Sequence, residues 1–142
     1  MKKYIILSVL TSFIITNAFC QNNKTPKIKD IKFGSITIDG IIYDKDIVID
    51  NGNVRQRKKG PSKPLKAKYN HTPLTELEEI PWDCDTLVIA IGMYGSLPVT
   101  DSFKQEAEKR NVTLILLKTP EAAEYYMKNF SNRLNAIIHI TC

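Results

Sequence analysis

The chain has 142 residues, of which 43% are hydrophobic and 25% are charged, and its formal net charge is +5. These values are typical of a single globular domain. The three cysteines form no CxxC pair and have no zinc-type spacing, and no repeat period is visible. The sequence therefore excludes a cysteine-based zinc module and a repeat protein.

The first twenty residues have the pattern of a secretory signal peptide. Lys2 and Lys3 form a short basic region. The segment Tyr4–Ile15 that follows is apolar and only about a dozen residues long, too short to span a bilayer. Residues 1–20 contribute two lysines and no acid, so their removal leaves a mature charge of +3. We expect an exported protein, periplasmic or secreted, with no stable membrane span after cleavage.

The cleavage site has two alternatives, because Ala18 and Cys20 are both small enough to precede it. Cleavage after Cys20 is expected, and cleavage after Ala18 stays open. Lipid attachment at Cys20 is disfavoured by the bulky Phe19 before it. An uncleaved membrane anchor is a further alternative.

Residues 21–31 are polar and basic and are expected to form a linker, followed by one domain over residues 32–142. Asp39-Gly40 and Asn51-Gly52 each lie between alternating apolar runs. Such dipeptides favour type I′ hairpin turns, because both turn residues need a positive φ. The pattern predicts an antiparallel meander over residues 34–58 with one face exposed to water.

A basic stretch without acids follows, from Asn51 to Thr75. Its seven basic residues are Arg55, Arg57, Lys58, Lys59, Lys63, Lys66 and Lys68. The first four are candidates for a basic surface that docks phosphate, anionic lipid or an acidic partner. The alternative is a solvated loop whose lysines protect an edge strand. Only Tyr69 is an interleaved aromatic residue, which disfavours nucleic acid as a partner.

Two local patterns concern this stretch and its continuation. No regular helix or strand is expected between residues 60 and 64, because this segment contains Gly60, Pro61 and Pro64. Thr75 and Glu78 have the spacing of a capping box and predict one helical turn over residues 75–79.

The C-terminal half alternates strand-like and helix-like segments. Strands are expected at Thr86–Ile91, Val112–Leu117 and Ala136–Thr141, and helices at residues 101–110 and from Thr119-Pro120 onward. Asp101 or Ser102 is expected to cap the first helix. This order predicts a βαβαβ unit with a three-stranded parallel sheet and right-handed crossovers.

A glycine loop follows the first of these strands. It consists of Gly92, Met93, Tyr94, Gly95 and Ser96. The loop does not match the dinucleotide fingerprint, the P-loop or the nucleophile elbow. Ligands bind beyond the carboxyl ends of strands in open α/β sheets, so the loop is a candidate ligand pocket. The alternative is that two glycines simply permit a tight turn.

The two histidines and two later cysteines give no clear chemical signature. His71 is a loop residue that could approach the sheet, whereas His139 is expected in the core. Cys142 lies an odd number of positions after His139, which predicts opposite faces and disfavours a Cys–His pair. Cys84 and Cys142 should lie roughly 20 Å apart at opposite ends of the sheet, too far for a disulfide. No metal site and no cofactor is expected, since a metal would need His71, His139 and a third ligand to converge.

Five sequence blocks together resemble the Mth938-like domain family. They are GSITIDG, HTPL, IPWDCD, LVIAIGMYGSLPV and the HITC block, and they extend over residues 32–142. The resemblance implies a three-layer α/β fold, with a parallel βαβαβ C-terminal half and an antiparallel N-terminal β-meander. It implies no reaction, cofactor or catalytic residue. Gly92 and Gly95 match the family's glycine loop, and His139, Thr141 and Cys142 match its carboxyl-terminal block.

The family is mostly cytoplasmic or organellar, so a cytoplasmic location is the alternative to export. We expect a non-enzymatic binding or assembly module with a protein partner, bound by the glycine-loop end of the sheet or by the basic stretch. Homo-oligomerisation stays open. The alternative is a small-molecule-binding protein or enzyme with a pocket at Gly92–Ser96, bordered by Tyr94 and His71.

Overall fold

The computed structural model describes residues 24–142, and the predicted signal peptide lies outside them. The strands of the described part are β1 (Ile28–Lys32), β2 (Ser35–Ile38), β3 (Ile41–Tyr43), β4 (Ile47–Asp50), β5 (Asn53–Gln56), β6 (Thr86–Ile91), β7 (Thr113–Leu117) and β8 (Leu134–His139). The helices are α1 (Lys66–Tyr69), α2 (Asp101–Lys109) and α3 (Thr119–Lys128), preceded by a 3₁₀ helix at Gly60–Leu65. Within residues 24–142, no helix has both the length and the apolar character needed to cross a membrane.

The strands form two sheets. A three-stranded antiparallel sheet has the order β1-β2-β3, and a five-stranded mixed sheet has the order β5-β4-β8-β6-β7. Strand β6 is parallel to both β7 and β8, which confirms the predicted βαβαβ unit. Strand β8 lies at the centre of the larger sheet, because the β4–β5 hairpin adds to it in the antiparallel direction.

Both predicted hairpin turns are present, but they do not belong to one meander. Asp39 and Gly40 have φ angles of 49° and 82°, and Asn51 and Gly52 have φ angles of 49° and 78°. The first hairpin joins β2 to β3 and the second joins β4 to β5, in different sheets. The strands separate because all three isoleucine and valine side chains of Ile47–Ile49 are buried, which places β4 inside the larger sheet rather than beside β3.

The end of the predicted linker is also a strand. Residues 28–32 form β1, which pairs with β2 and buries Ile28 in the core. The polar composition of this segment is explained by its position at the edge of the small sheet, where most of its side chains face solvent.

Each face of the five-stranded sheet carries its own core. On one face, Val88 and Ala90 pack with helix α3 and the three-stranded sheet. On the other face, Leu87 and Ile89 pack with helix α2 and the chain around Leu74. Successive side chains of β6 therefore point into different cores. The fold has three layers: the five-stranded sheet in the middle, α3 with the small sheet on one face, and α2 on the other.

Two details of the helices correct the predictions. Helix α2 is capped by Thr100, whose hydroxyl accepts a hydrogen bond from the Phe103 N–H, and not by Asp101 or Ser102. The prolines did not prevent a regular element at Gly60–Leu65, which is a short 3₁₀ helix with Pro61 in its first turn and Pro64 inside it.

Candidate functional site at the carboxyl end of the central strand

The glycine loop is filled by the chain that follows β8. The Met93 N–H donates to the Thr141 carbonyl at 2.8 Å, and the Ser96 N–H donates to the Cys142 carbonyl at 3.2 Å. A Cβ atom on Gly92, whose φ is +103°, would overlap the Cys142 carbonyl oxygen. Backbone of residues 141 and 142 thus occupies the place where a ligand was predicted.

The remaining loop residues face outward. The Tyr94 side chain is 74% exposed, and its ring centroid lies 6.2 Å from that of Phe33. Gly95 has a φ of +77° and lies beside the Lys118 side chain. None of the three principal cavities in residues 24–142 is lined by Gly92–Ser96.

A buried ionic cluster lies beside the carboxyl end of β8, built around Arg57. Its guanidinium bonds both carboxylate oxygens of Glu78, at 2.7 and 2.8 Å. It also donates to the Pro73 carbonyl at 2.9 Å and to Asp46 at 3.2 Å. The planar guanidinium group matches the geometry of a carboxylate, and its N–H groups find hydrogen-bond acceptors inside the protein. Arg57 was predicted to belong to a basic surface, and that prediction is wrong because its side chain is buried.

Two hydroxyl groups complete the cluster. The Ser62 hydroxyl donates to Glu78, and its oxygen lies 2.7 Å from the Thr75 hydroxyl. The 3₁₀ helix places Ser62 there with no exposed surface. The predicted capping box is therefore absent: Glu78 and Thr75 face Arg57 and Ser62, and residues 75–79 form a turn instead of a helix.

Asp46 joins the ionic cluster to β8. One of its carboxylate oxygens lies 2.7 Å from Lys59 Nζ and 2.7 Å from His139 Nδ1. The other accepts a hydrogen bond from the Ile140 N–H at 3.2 Å. Burial by itself would raise the pKa of Asp46, but the hydrogen bonds from His139 and Lys59 and the positive charge of Lys59 outweigh burial and hold the pKa well below its usual range.

The other basic-surface candidates differ in their partners. Arg55 donates to the Glu79 carbonyl at 2.6 Å, and the exposed Lys58 pairs with the Glu79 carboxylate at 3.0 Å. The hydrogen bond and charge of Lys58 lower the pKa of Glu79. Lys59 is partly exposed above Asp46.

A cavity of about 450 Å³ opens above the ionic cluster. Its lining residues are Asp44, Lys45, Asp46, Gln56, Arg57, Lys58, Lys59, Gly60, Lys63, Ile140 and Thr141. Five of these side chains are cationic and two are anionic, and Asp46 is already paired. The cavity is therefore suited to an anionic group.

A thiol and two imidazoles meet next to this cavity. Cys142 Sγ lies 3.5 Å from His139 Nε2 and 3.4 Å from His71 Nδ1, and the Thr141 hydroxyl lies 3.1 Å from the same His139 nitrogen. The prediction that Cys142 and His139 face apart is wrong. Strand β8 ends at His139, so strand alternation does not extend to residue 142.

Cys84 is in a different setting. It is buried and donates to the Pro81 carbonyl at 3.3 Å, and burial raises its pKa to about 11. Cys84 and Cys142 are both free thiols, which confirms the prediction that no disulfide joins them. Among residues 24–142, no group of three or more His, Cys, Asp or Glu side chains is arranged to hold a metal ion.

Sequence reasoning missed Asp46 and Glu78 as members of a site. The available signal was weak: the two acids lie within five residues of either end of the acid-free basic stretch, but Asp50 and Glu76 are nearer to its ends. Asp46 also directly precedes the apolar strand β4, where a carboxylate needs a partner when it is buried.

Comparison with known proteins gives structural relatives but no family model or curated protein that matches the chain. The conserved hypothetical protein PH1505 from Pyrococcus horikoshii OT3 is 32% identical, with a TM-score of 0.70, over 82% of this chain and 99% of that one. The protein MT938 is 30% identical, with a TM-score of 0.63 and the same coverage. A Bordetella pertussis protein described as a Mth938-like domain shares the fold at 12% identity and a TM-score of 0.55, over 82% and 86% of the two chains. The blocks quoted from the sequence, the three-layer architecture and these relatives agree, and the chain belongs to the Mth938-like family.

Proposed function

We propose that this domain is a non-enzymatic binding module that captures an acidic segment of a partner protein in the cavity beside Asp46. The observation that carries the proposal is the set of lysines around a 450 Å³ cavity with a rigid, charge-balanced floor. The family likeness is compatible with a binding role but names no partner.

After the internal pairs are taken out, two lysines and one acid, Asp44, remain at the rim, and the residual charge is +1. Lys58 and Lys59 are paired with Glu79 and Asp46, respectively. Among residues 24–142, Lys45 and Lys63 have no carboxylate within 4.0 Å. Their charges are therefore available to a carboxylate from outside.

The floor of the cavity supports this role by staying fixed. Arg57 is held by Glu78, Asp46 and the Pro73 carbonyl, so it needs no further partner and does not move toward a ligand. Binding at the rim then costs little reorganisation, which favours affinity. A pocket at Gly92–Ser96 has no comparable support, because the Met93 and Ser96 amides are used by residues 141 and 142.

The test uses a defined probe, a fluorescently labelled hexaglutamate peptide, and measures fluorescence anisotropy at several salt concentrations. Binding should weaken as salt rises, because the rim is exposed to solvent. The double variant Lys45→Glu with Lys63→Glu should weaken binding by about tenfold, since each rim charge contributes roughly 0.5–1 kcal/mol.

The matched control is Lys29→Glu with Lys32→Glu, which makes the same charge change at exposed positions of β1. It should leave peptide binding unchanged. An equal loss of binding in both double variants would show a general charge effect and contradict a site at the cavity.

Export remains part of the proposal. The motif at residues 1–20 predicts that the partner is met outside the cytoplasm. Mass spectrometry of the protein from its natural source would test this, with a mature mass starting at Gln21 or at Phe19 as the expected result. An intact Met1 end would contradict cleavage, and a lipid mass on Cys20 would favour an anchored form.

A further inference from the structure

Cys142 lies outside the lysine-lined cavity and has no part in the proposed partner binding. We propose that Cys142 is a site of thiol–disulfide exchange with low-molecular-weight disulfides, with His139 as the base that accepts the thiol proton. The inference goes beyond the binding role and does not depend on it.

His139 is held in the tautomer that this chemistry needs. An ionised carboxylate can only accept hydrogen bonds, so the 2.7 Å contact with Asp46 places the proton on Nδ1. The lone pair of Nε2 is then directed toward Cys142 Sγ at 3.5 Å and the Thr141 hydroxyl at 3.1 Å. Asp46 acts as a positioning residue, because it touches the imidazole and not the thiol.

A second imidazole faces the same sulfur. His71 Nδ1 lies 3.4 Å from Sγ, on the loop that precedes the buried Leu74. Two imidazole nitrogen atoms therefore lie within 3.5 Å of one sulfur, so a proton acceptor is at hand for the thiol. A lone half-buried cysteine would have no such acceptor.

The exchange step balances without any further reactant. The Sγ proton moves to His139 Nε2, and the thiolate attacks one sulfur of a disulfide R–S–S–R. A bond forms between Sγ and that sulfur while the R–S–S–R bond breaks. The leaving thiolate takes the proton from His139, so the products are Cys142–S–S–R and R–SH.

The surroundings favour exchange with a small molecule over acyl transfer. Acyl transfer needs free backbone N–H groups to stabilise an oxyanion. The amides of Met93 and Ser96, which face residues 141 and 142, are already bonded to carbonyl oxygens. Cys142 is a half-buried residue and lines none of the three cavities described in residues 24–142, so no enclosed substrate pocket surrounds it there.

Cys84 provides a control within the same chain. It has no imidazole partner in the described residues, it is 4% exposed, and its pKa is raised to about 11 by burial. A mechanism that depends on imidazole and exposure therefore predicts modification of Cys142 and not of Cys84.

The experiment treats the purified full chain with oxidised glutathione near neutral pH and follows each cysteine by peptide mass mapping. We expect a glutathione adduct on Cys142 that forms about tenfold or more faster than on the same residue in the urea-unfolded chain. Cys84 should stay unmodified in the folded protein. Cys142→Ser should remove the fast adduct, and Cys84→Ser should leave it unchanged.

The role of His139 is tested by His139→Asn and the pH dependence of the rate. The charged and polar groups that face Cys142 and His139 are Asp46, His71 and Thr141, with Lys59 beyond Asp46. In the wild type the rate should persist at pH values where an unassisted thiol is protonated, and in His139→Asn it should fall about tenfold there. If His139→Asn does not fold, the comparison of Cys142 with its unfolded form still decides the proposal.

Two results would overturn the inference. The first is a folded-state rate at Cys142 no greater than that of the unfolded chain. The second is full protection of Cys142 by one equivalent of Zn²⁺, reversed by chelator, which would identify a metal-binding thiol instead of an exchange site.

Discussion

The two ends of the central strand β8 contain the same two chemical groups, an arginine between two carboxylates and a free thiol, in opposite settings. At the amino end, Arg133 bridges Asp83 and Asp85 at 2.8 and 3.0 Å with 46% of its side chain exposed. At the carboxyl end, Arg57 bridges Glu78 and Asp46 at 2.7 and 3.2 Å with 1% exposed. The distances are similar, so burial is what separates the two sites.

The consequence for stability is a matter of desolvation. An exposed ion pair competes with water and contributes little. A buried pair costs desolvation energy when it forms, but removal of one partner leaves an uncompensated charge inside the protein. The carboxyl end should therefore be sensitive to single substitutions, and the amino end should tolerate them.

The thiols follow the same division. Cys84, at the amino end, donates to a carbonyl and is shielded, whereas Cys142, at the carboxyl end, faces two imidazoles. The thiol at the amino end is part of an apolar core, and the carboxyl end holds the polar groups on which both proposals rest.

The largest expected effect is that of Arg57→Ala. It leaves Glu78 and Asp46 buried without their guanidinium, so the free energy of unfolding should fall by about 3–5 kcal/mol. Urea unfolding followed by circular dichroism measures this change. A decrease in the free energy of unfolding of less than about 1 kcal/mol would show that water reaches the ionic cluster. The two ends of β8 would then not differ in how they tolerate the loss of an arginine.

The second effect concerns Gly92, which directly follows strand β6 and packs against residues 141–142. Gly92→Ala should destabilise the fold by about 3 kcal/mol or more, because strain at positive φ adds to a collision with the Cys142 carbonyl. Gly95→Ala is the matched control. Its added methyl group meets only ordinary contacts with the Lys118 and Ile91 side chains, so the substitution should cost about 1–2 kcal/mol of backbone strain. Equal losses from the two substitutions in thermal unfolding would contradict tight packing of residues 141–142 on Gly92.

A third effect is acid sensitivity at the carboxyl end. The folded protein keeps Asp46 ionised because its pKa is lowered, whereas the unfolded chain binds that proton below about pH 4. The unfolded state then holds more protons, so the free energy of unfolding decreases as the pH falls below about 4, by up to about 1.4 kcal/mol per pH unit from this group. Above that pH the contribution of Asp46 is fully present.

Urea unfolding at about pH 5 and about pH 3 measures the decrease, and Asp46→Asn is the comparison variant. The variant should be less stable at the higher pH and should show a smaller decrease on acidification. A variant that keeps the whole acid dependence would assign it to other carboxylates.

The smallest expected effect is that of Arg133→Ala. Its partners Asp83 and Asp85 are 95% and 74% exposed, so they are solvated when the arginine is removed. The urea midpoint should hardly change, and the small change should vanish at high salt. A shift as large as that of Arg57→Ala would mean that burial does not separate the two ends.

Much of the fold was predictable because local patterns determine it. The apolar run at Thr86–Ile91, the Asn-Gly and Asp-Gly turns and the Thr119-Pro120 helix start were all located correctly. The sequence blocks also indicated the correct family. These features depend on neighbours within a few residues, where hydrophobic periodicity and backbone preferences act.

The candidate site was predicted poorly because its members are far apart in sequence. His139 and Asp46 are 93 positions apart, and Arg57 and Glu78 are 21 apart. No periodicity links such residues. The basic stretch was visible in the sequence, but its pattern does not reveal that Arg57 faces inward or that Lys63 lines a cavity together with Lys45 from outside the stretch.

The sequence by itself determined the two hairpin turns, the parallel C-terminal unit with its alternating strands and helices, and the family. Only the tertiary structure decided that the hairpins join different sheets, that residues 141–142 fill the glycine loop, and that Cys142 meets two imidazoles. The physical reason is that strand patterns specify which faces are apolar but not which strand lies beside another. Buried charges and thiols acquire their properties from those long-range neighbours.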